Sequence, residues 1–196
     1  MKKGWIVLSV ILGALGFAAL SLSGAYNGLV RADEGVTQAW AQVENVYQRR
    51  LDLIPNLVET VKGYAAHKKS TFLEVTEARA KASHAPSADI VNDPAKFRQF
   101  QESQTALSSA LSQLMVVVEK YPDLKANENF LQLQAQLEGT ENRISVERGR
   151  YNEVARAFNV LLRQFPTNIV GRLFGFKLKE YFKADAGAHV APKVTF

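Results

Sequence analysis

Residue types able to do acid–base or metal chemistry are scarce in this 196-residue chain. It has no cysteine and three histidines, His67, His84 and His189, and none of them completes the Glu-x-x-His spacing that binds iron in helical carboxylate proteins. Zinc-protease, phosphate-loop and Gly-x-Ser-x-Gly nucleophile motifs are absent as well. We therefore predict no catalytic residue, no metal site and no cofactor, in a protein that is not an enzyme.

The most suggestive polar residues form a stripe on the last long helical segment. Glu141, Arg148 and Asn152 are spaced by seven and four residues, which places them along one helix face. Polar residues of an earlier helical segment could face that stripe across a bundle, namely Arg49, Arg50, Asp52 and Asn56. The set predicts either a ligand or partner site or a half-buried layer of ion pairs, with an enzyme site around Glu141 and Arg148 as a third alternative. The ion-pair layer is favoured, because a long bundle needs a feature that selects one helix register.

Charge is spread along the chain and is not gathered in patches. Lys and Arg total 24 and Asp and Glu total 19, for a net charge of +5, and the two signs alternate along the sequence. Interspersed charge is typical of a solvated surface and not of a nucleic-acid-binding patch. We predict no nucleic-acid partner and no small-molecule substrate.

Apolar side chains recur at spacings of three and four over most of the chain, which predicts amphipathic helices. The polar residues named above would therefore be positioned by helices. One segment covers residues 36–82, with a kink predicted at Pro55, whose ring removes a helix hydrogen bond. Another covers residues 97–121 with a coiled-coil-like seam, and a third covers residues 127–165. Asp93, followed by proline, indicates the N-cap of the second segment.

These segments predict an all-α fold. It consists of an N-terminal transmembrane helix, an antiparallel bundle of three long helices with the first kinked at Pro55, and a short C-terminal helix or tail. We divide the chain into a membrane anchor at residues 1–27, a helical bundle at 28–166 and a basic-aromatic segment with a flexible tail at 167–196.

The N-terminus has the length and composition of a membrane span. Lys2 and Lys3 precede residues 4–30, which contain no charged side chain, and about 20 apolar residues suffice to cross the hydrocarbon core as a helix. The side chains expected to hold the anchor in the bilayer are Trp5, Leu12, Phe17, Leu20 and Tyr26. A cleaved secretory signal, with a small-residue site at residues 23–25, is the alternative, although the apolar stretch is longer than a signal core.

The charges beside the anchor predict its orientation. By the positive-inside rule, Lys2 and Lys3 place the N-terminus in the cytoplasm. The soluble domain would then lie on the periplasmic or outer face of a bacterial inner membrane, with a cytoplasmic soluble domain as the alternative.

The segment after residue 166 mixes aromatic and basic side chains. Two interpretations stay open for it: packing onto the end of the bundle, or contact with lipid or a neighbouring subunit. The residues concerned are Phe174, Phe176, Lys177, Lys179, Tyr181 and Phe182.

Several blocks of the sequence, in order, resemble the LemA proteins. They include residues 26–30 (YNGLV), 49–58 (RRLDLIPNLV), 121–126 (YPDLKA), 140–144 (TENRI) and 165–175. The resemblance implies a single N-terminal membrane helix, a helical bundle and no established enzymatic activity. It also implies a soluble part that faces the cytoplasm, opposite to the topology predicted from the terminal lysines.

One departure from the family pattern is visible. Lys68 and Lys69 follow His67 where the family often has an acidic residue, which argues against a role for an acidic side chain in that block.

The functional prediction is a non-enzymatic, membrane-anchored scaffold or adaptor. It would contact membrane lipid, form a homo-oligomer and recruit a membrane protein partner. The alternative is a regulatory accessory subunit of an envelope machine, such as a membrane protease or a stress sensor.

Overall fold

The structure, a computed structural model, describes residues 2–65, 67–83 and 88–183. These residues form helices and turns with no strand, which confirms the all-α fold class. The tail predicted to be flexible, residues 184–196, lies outside the described residues. The helices are α1 (Lys2–Lys62), α2 (Lys69–Ser83), α3 (Pro94–Val118), α4 (Pro122–Lys125), α5 (Glu128–Arg163) and α6 (Thr167–Phe174), with a 3-10 helix (Ala88–Asn92) before α3.

Helix α1 is a single unbroken helix of 61 residues, about 90 Å long at the usual rise per residue. The large apolar side chains described between Trp5 and Leu22 are exposed. Farther along, one face is buried, and its residues are Leu29, Val36, Trp40, Val43, Tyr47, Leu51, Ile54, Leu57, Val58 and Val61. The helix therefore changes from apolar on its outer surface to amphipathic, as expected where a membrane span continues into a soluble core.

Helix α5 runs antiparallel along α1. Trp40 and Tyr151 lie 5.6 Å apart between ring centroids, whereas ten residues later Arg50 lies 2.8 Å from Glu141. At the far end of α1 the chain turns back as α2, and α3 packs against α2. All four helices share the buried apolar interior.

The end of α1 differs from the predicted boundary. The first bundle helix ends at Lys62 and the chain reverses before α2 begins at Lys69, whereas the apolar spacing predicted one helix up to residue 82. Phe72 and Val75 of α2 are buried in the same core as Val61 of α1. The apolar spacing continues across the reversal because both helices face one interior.

Pro55 lies inside α1 and does not end it. Because proline has no backbone N–H, the carbonyl oxygen of Leu51, four residues earlier, receives no helix hydrogen bond from residue 55. Nε of Arg79 on α2 donates to that oxygen at 2.9 Å. A bend of α1 at Pro55 stays a prediction.

Two side chains cap helices, and the Asp93 cap is the one that the sequence indicated. The Asp93 carboxylate accepts hydrogen bonds from the backbone N–H groups of Lys96 and Ala95, and Asn127 accepts one from Phe130. The bond from Lys96 is the main reason that the pKa of Asp93 lies below its ordinary value. Both caps satisfy helix donors that would otherwise have no partner.

The interior consists of two apolar clusters. The anchor-side core is rich in aromatic rings and includes Trp40, Phe97, Phe100, Tyr151, Phe158 and Phe182. The far core is mostly aliphatic and includes Leu51, Leu57, Val61, Val75, Leu107, Leu114, Leu124 and Phe130. Between them along α1 lies Arg50, at the level of the buried side chains of Gln104 and Thr140.

Candidate functional site

Arg50 is the centre of the polar layer that separates the two cores. Its side chain is 2% exposed. Its Nη1 donates to Glu141 Oε1 at 2.8 Å and to Ser108 Oγ at 3.0 Å, and its Nη2 donates to Gln104 Oε1. The guanidinium also lies over the Tyr47 ring, 5.1 Å from its centroid. A buried cation needs such partners, because its hydration is lost.

This layer joins four helices at one level. Arg50 belongs to α1, Gln104 to α3 and Glu141 to α5, and Nε2 of Gln104 donates to the carbonyl of Ala82 at the end of α2 at 3.3 Å. A shift of any one helix by a turn would separate these groups. The geometry therefore supports the interpretation of Arg50 and Glu141 as a register-selecting pair.

A cavity of about 110 Å³ lies beside Arg50. It is lined by Tyr47, Arg50, Gln101, Gln104, Thr105, Ser108, Glu141, Ile144, Arg148 and Phe182. The cavity is smaller than the roughly 300–1,000 Å³ of a typical small-molecule site and suits a few water molecules. Its size favours a structural layer over a substrate site.

Three of the polar residues predicted on the first segment do not reach Glu141. Arg49 donates to Gln136 at 3.1 Å, Asp52 accepts from Gln48 at 2.7 Å, and Asn56 is exposed. Arg50 is thus the member of that set which the structure brings to the α5 stripe.

The other two stripe residues, Arg148 and Asn152, hold the chain that follows α6. We call residues 175–183 the C-terminal segment. Nη2 of Arg148 donates to the carbonyl of Lys183 at 2.9 Å, and its guanidinium lies 4.8 Å from the Phe182 ring centroid. The Asn152 amide accepts from the backbone N–H of Phe182 and donates to its carbonyl, at 2.9 and 3.0 Å.

Asn159, which the sequence analysis did not single out, makes the same double contact with Lys179. Its amide accepts from the Lys179 N–H at 2.8 Å and donates to the Lys179 carbonyl at 2.9 Å. Seven helical residues rise about 10.5 Å, and three extended residues span about 10 Å. The spacing from Asn152 to Asn159 on α5 therefore matches the spacing from Phe182 to Lys179. The two asparagines, seven residues apart on one face of α5, were the sequence feature from which this contact could have been predicted.

Tyr151 adds a further hydrogen bond to the C-terminal segment. Its buried hydroxyl donates to the carbonyl of Glu180 at 3.0 Å. Burial, and then the nearby negative charge of Glu180, raise the pKa of Tyr151, so the hydroxyl stays protonated and remains a donor.

The six basic-aromatic residues divide between the bundle and the surface. Lys179 and Phe182 are buried, Phe176 is half-buried, and Phe174, Lys177 and Tyr181 are exposed. Nζ of Lys179 lies 2.5 Å from Asp33 Oδ1 and donates to Asn92 Oδ1 at 2.7 Å. The Phe182 ring packs against both Trp40 and Phe97, at centroid distances of 6.0 and 5.0 Å.

Comparison with known proteins identifies the family. The sequence model of the LemA family matches residues 39–196. The chain belongs to the LemA family. This confirms the resemblance drawn from the sequence blocks.

Curated relatives align over most of the chain. Magnetosome protein MamQ 2 of Paramagnetospirillum magneticum is 27% identical over 195 residues, which cover 91% of this chain and 71% of the relative. Magnetosome protein MamQ of Magnetospirillum gryphiswaldense is 24% identical over 93% of this chain and 74% of its own length. Protein LemA of Metamycoplasma hominis is 26% identical over 88% of this chain and 74% of its own length.

This LemA-family chain has one helix suited to a bilayer among its described residues. The N-terminal part of α1 is long and apolar enough, by length and composition, to cross a membrane. Within the described ranges, no three His, Asp or Glu side chains are grouped so that they could hold a metal ion. Family, relatives and α1 together support a membrane-associated, non-enzymatic helical protein.

Proposed function

We propose that this LemA-family protein is a membrane-anchored scaffold or adaptor that presents its bundle at a fixed height and orientation above a bacterial inner membrane. The observation that carries the proposal is the continuity of α1, which is both the apolar span and a core helix of the bundle. Self-association and recruitment of a membrane protein are the two uses of such a surface that we infer.

The connection between the anchor and the bundle is short and helical. Leu22 is the last large apolar residue of the apolar stretch, and Leu29, only two helical turns later, is already fully buried in the anchor-side core. Seven helical residues correspond to about 10 Å. A bundle attached in this way cannot move freely relative to its anchor, unlike one on a flexible linker.

The bundle also extends far enough to meet a partner beyond the lipid headgroups. From Val30 to Lys62 α1 continues for 33 residues, which is about 50 Å at 1.5 Å per residue. The polar layer around Arg50 keeps the four helices in one register along that length. A rigid, register-fixed rod supports presentation of a surface better than turnover of a substrate.

Self-association is tested by the mass of the full-length protein. The protein would be extracted with its lipids in native particles and measured by multi-angle light scattering, with imaging in parallel. A defined assembly of several copies supports the scaffold. A uniform monomer contradicts self-association, and crosslinking in cells would then ask whether the protein is instead an accessory subunit of an envelope machine.

Topology is tested with a single cysteine, since the chain has none of its own. Leu131, exposed at the start of α5, is a suitable position. By the positive-inside rule we expect Leu131→Cys to react with a membrane-impermeant maleimide added outside spheroplasts. Reaction only after the membrane is permeabilised would place the bundle in the cytoplasm.

A further inference from the structure

Helix α6 and the turn before it carry exposed apolar side chains, here called the stripe, which no described part of the bundle covers. Phe165 lies in the turn just before the helix, and Ile169 and Leu173 are spaced by four residues, so these two lie along one side of α6. The exposed fractions of the three side chains are 80%, 51% and 77%. Large apolar side chains grouped in this way indicate a surface that binds an apolar partner.

The opposite side of α6 fixes how the stripe is oriented. Thr167, Val170 and Gly171 are buried against the bundle. Gly171 lies so close to Leu162 that an added Cβ would collide with the Leu162 side chain. Because this close contact holds α6 against the end of α5, the stripe points away from the core.

The position of α6 along α1 sets its level relative to the apolar stretch. The ring of Phe174 lies 4.7 Å from the ring of Tyr26 on α1. Tyr26 follows Leu22, the end of the apolar stretch, by one helical turn, a rise of about 6 Å. The headgroup region on each side of a bilayer is roughly 5–8 Å thick. The helix is thus level with the headgroups when the apolar stretch spans the hydrocarbon core.

The charges next to the stripe suit an anionic surface. Residues 163–178 contain Arg163, Arg172 and Lys177 and no acidic residue, and in the fold Lys177 also lies near the Asp93 carboxylate. All three cationic side chains are exposed. An apolar stripe flanked by cations is the arrangement of helices that lie in the interface of membranes with anionic lipid.

We propose that α6 is an interfacial helix, with Phe165, Ile169 and Leu173 inserted at the headgroup–acyl boundary and Arg163, Arg172 and Lys177 bound to phosphates of anionic phospholipids. This inference rests on the proposed membrane anchoring by α1. It adds a second contact with the same membrane, which holds the bundle upright. The choice of lipid over a second copy of the chain follows from the level of α6 beside the end of the apolar stretch and from the exposed cations near the stripe.

The depth of α6 can be measured with spin labels on the full-length protein. Single cysteines would replace Leu173 in the stripe, Leu15 in the apolar stretch and Leu131 at the far end of the bundle, all of them exposed. In vesicles of phosphatidylcholine with about 30% phosphatidylglycerol, an anionic lipid, each label is compared for collision with oxygen and with a water-soluble nickel complex. We expect the Leu173→Cys label, like the label at Leu15, to collide more often with oxygen, which concentrates in lipid. The Leu131→Cys label should collide more often with the nickel complex, which stays in water.

The outcomes separate this inference from the anchor on which it rests. If the label at Leu15 lies in lipid and the label at Leu173 lies in water, the anchor stands and the interfacial helix is wrong. If the label at Leu15 also lies in water, the anchoring itself fails. Strong spin–spin broadening at Leu173, diluted out by unlabelled protein, would mean that a second copy covers the stripe and would overturn the lipid assignment.

The proposed binding of Arg172 and Lys177 to lipid phosphates is tested separately, with a matched control. Removing phosphatidylglycerol should make the Leu173→Cys label shallower, and the double change Arg172→Gln with Lys177→Gln should abolish that dependence on lipid charge. Lys120→Gln, which removes an exposed cation in the turn after α3, should leave it intact. Equal lipid dependence in both variants contradicts the role given to Arg172 and Lys177.

Discussion

At the scale of single residues, the polar layer is asymmetric. Arg50 is 2% exposed and bonds to two helices besides its own, whereas Glu141 is 46% exposed. Losing the cation leaves the buried Gln104 side chain without its main partner. Losing the carboxylate charge leaves a site that water can reach.

We expect Arg50→Met to lower the free energy of unfolding of the bundle by about 2–4 kcal/mol, because it breaks a buried polar cluster. Glu141→Gln keeps an acceptor for Arg50 and should cost less than about 1 kcal/mol. Urea unfolding followed by circular dichroism, with the protein in mild detergent, measures both. Equal losses in the two variants would mean that the charge of Glu141, and not the burial of Arg50, maintains the layer.

A double-mutant cycle can test whether the hydrogen bond from Arg79 to the Leu51 carbonyl compensates for the N–H group that Pro55 lacks. Arg79→Met leaves the Leu51 carbonyl unpaired next to Pro55, at a cost of about 1–3 kcal/mol. Pro55→Ala returns an N–H group that can donate to the same carbonyl. In that background Arg79→Met should cost clearly less, whereas an unchanged cost would show that Arg79 acts through some other contact.

At the scale of elements, α5 holds an extended segment as a strand would hold its neighbour. Asn152 and Asn159 each accept from and donate to one backbone residue of the C-terminal segment. The segment thereby pairs its polar backbone while Phe182 fills the aromatic core. The side-chain amides can take the place of a neighbouring strand because each offers a carbonyl acceptor and an N–H donor, as a backbone peptide group does.

We expect Asn159→Leu to release the C-terminal segment before it affects the bundle. Backbone amides of residues 176–183 should exchange with deuterium at least about tenfold faster, since loss of the Asn159 hydrogen bonds to Lys179 and Tyr181 is worth roughly 1–3 kcal/mol. The control is Asn142→Leu, an exposed position on the same helix. If exchange rises equally throughout α5, Asn159 stabilises the helix bundle itself and not the segment.

The elements that the sequence predicted well are those with a repeated signal. The apolar seam of α3, the Asp93 cap and the apolar stretch at residues 4–22 each depend on local spacing or composition, which a sequence displays directly. The turn between α1 and α2 was missed because both helices place apolar residues toward one interior, so the spacing continues without a break. The path of the C-terminal segment was not predictable either, since it depends on single contacts such as Asn159 with Lys179.

The candidate site shows the same division. Arg50 and Glu141 were both named from their sequence positions, and the structure brings them within 2.8 Å. Arg49, Asp52 and Asn56 were named with them because they are neighbours in sequence, yet rotation around the helix turns them toward other partners or solvent. Successive residues of a helix are rotated by about 100° around its axis. Neighbours in sequence therefore point in different directions, and sequence proximity alone cannot select which member of such a cluster points inward.

At the scale of the whole molecule, α1 runs without a break from the apolar stretch into the bundle, and the proposed scaffold would use it as a rigid connection. If this stiffness is what the scaffold needs, insertions between Leu22 and Ser23 should depend on their helical content and not on their length. That position lies before Tyr26 and so leaves the contacts of α6 with α1 in place. Seven residues add about two turns of helix, close to a whole number, which nearly preserves the rotation of the bundle about α1.

We therefore compare a seven-residue helical insert rich in Ala, Glu and Lys with a seven-residue insert of Gly and Ser. The helical insert raises the bundle by about 10.5 Å and keeps it rigid, whereas the Gly-Ser insert makes a flexible joint. In native lipid particles we expect the helical variant to keep the assembly mass of the unmodified protein and the flexible variant to lose a uniform mass. If both variants assemble alike, the contacts between bundles determine the assembly by themselves and the continuity of α1 is not required for it. If both fail, the height of the bundle above the membrane matters, because the two inserts have the same length.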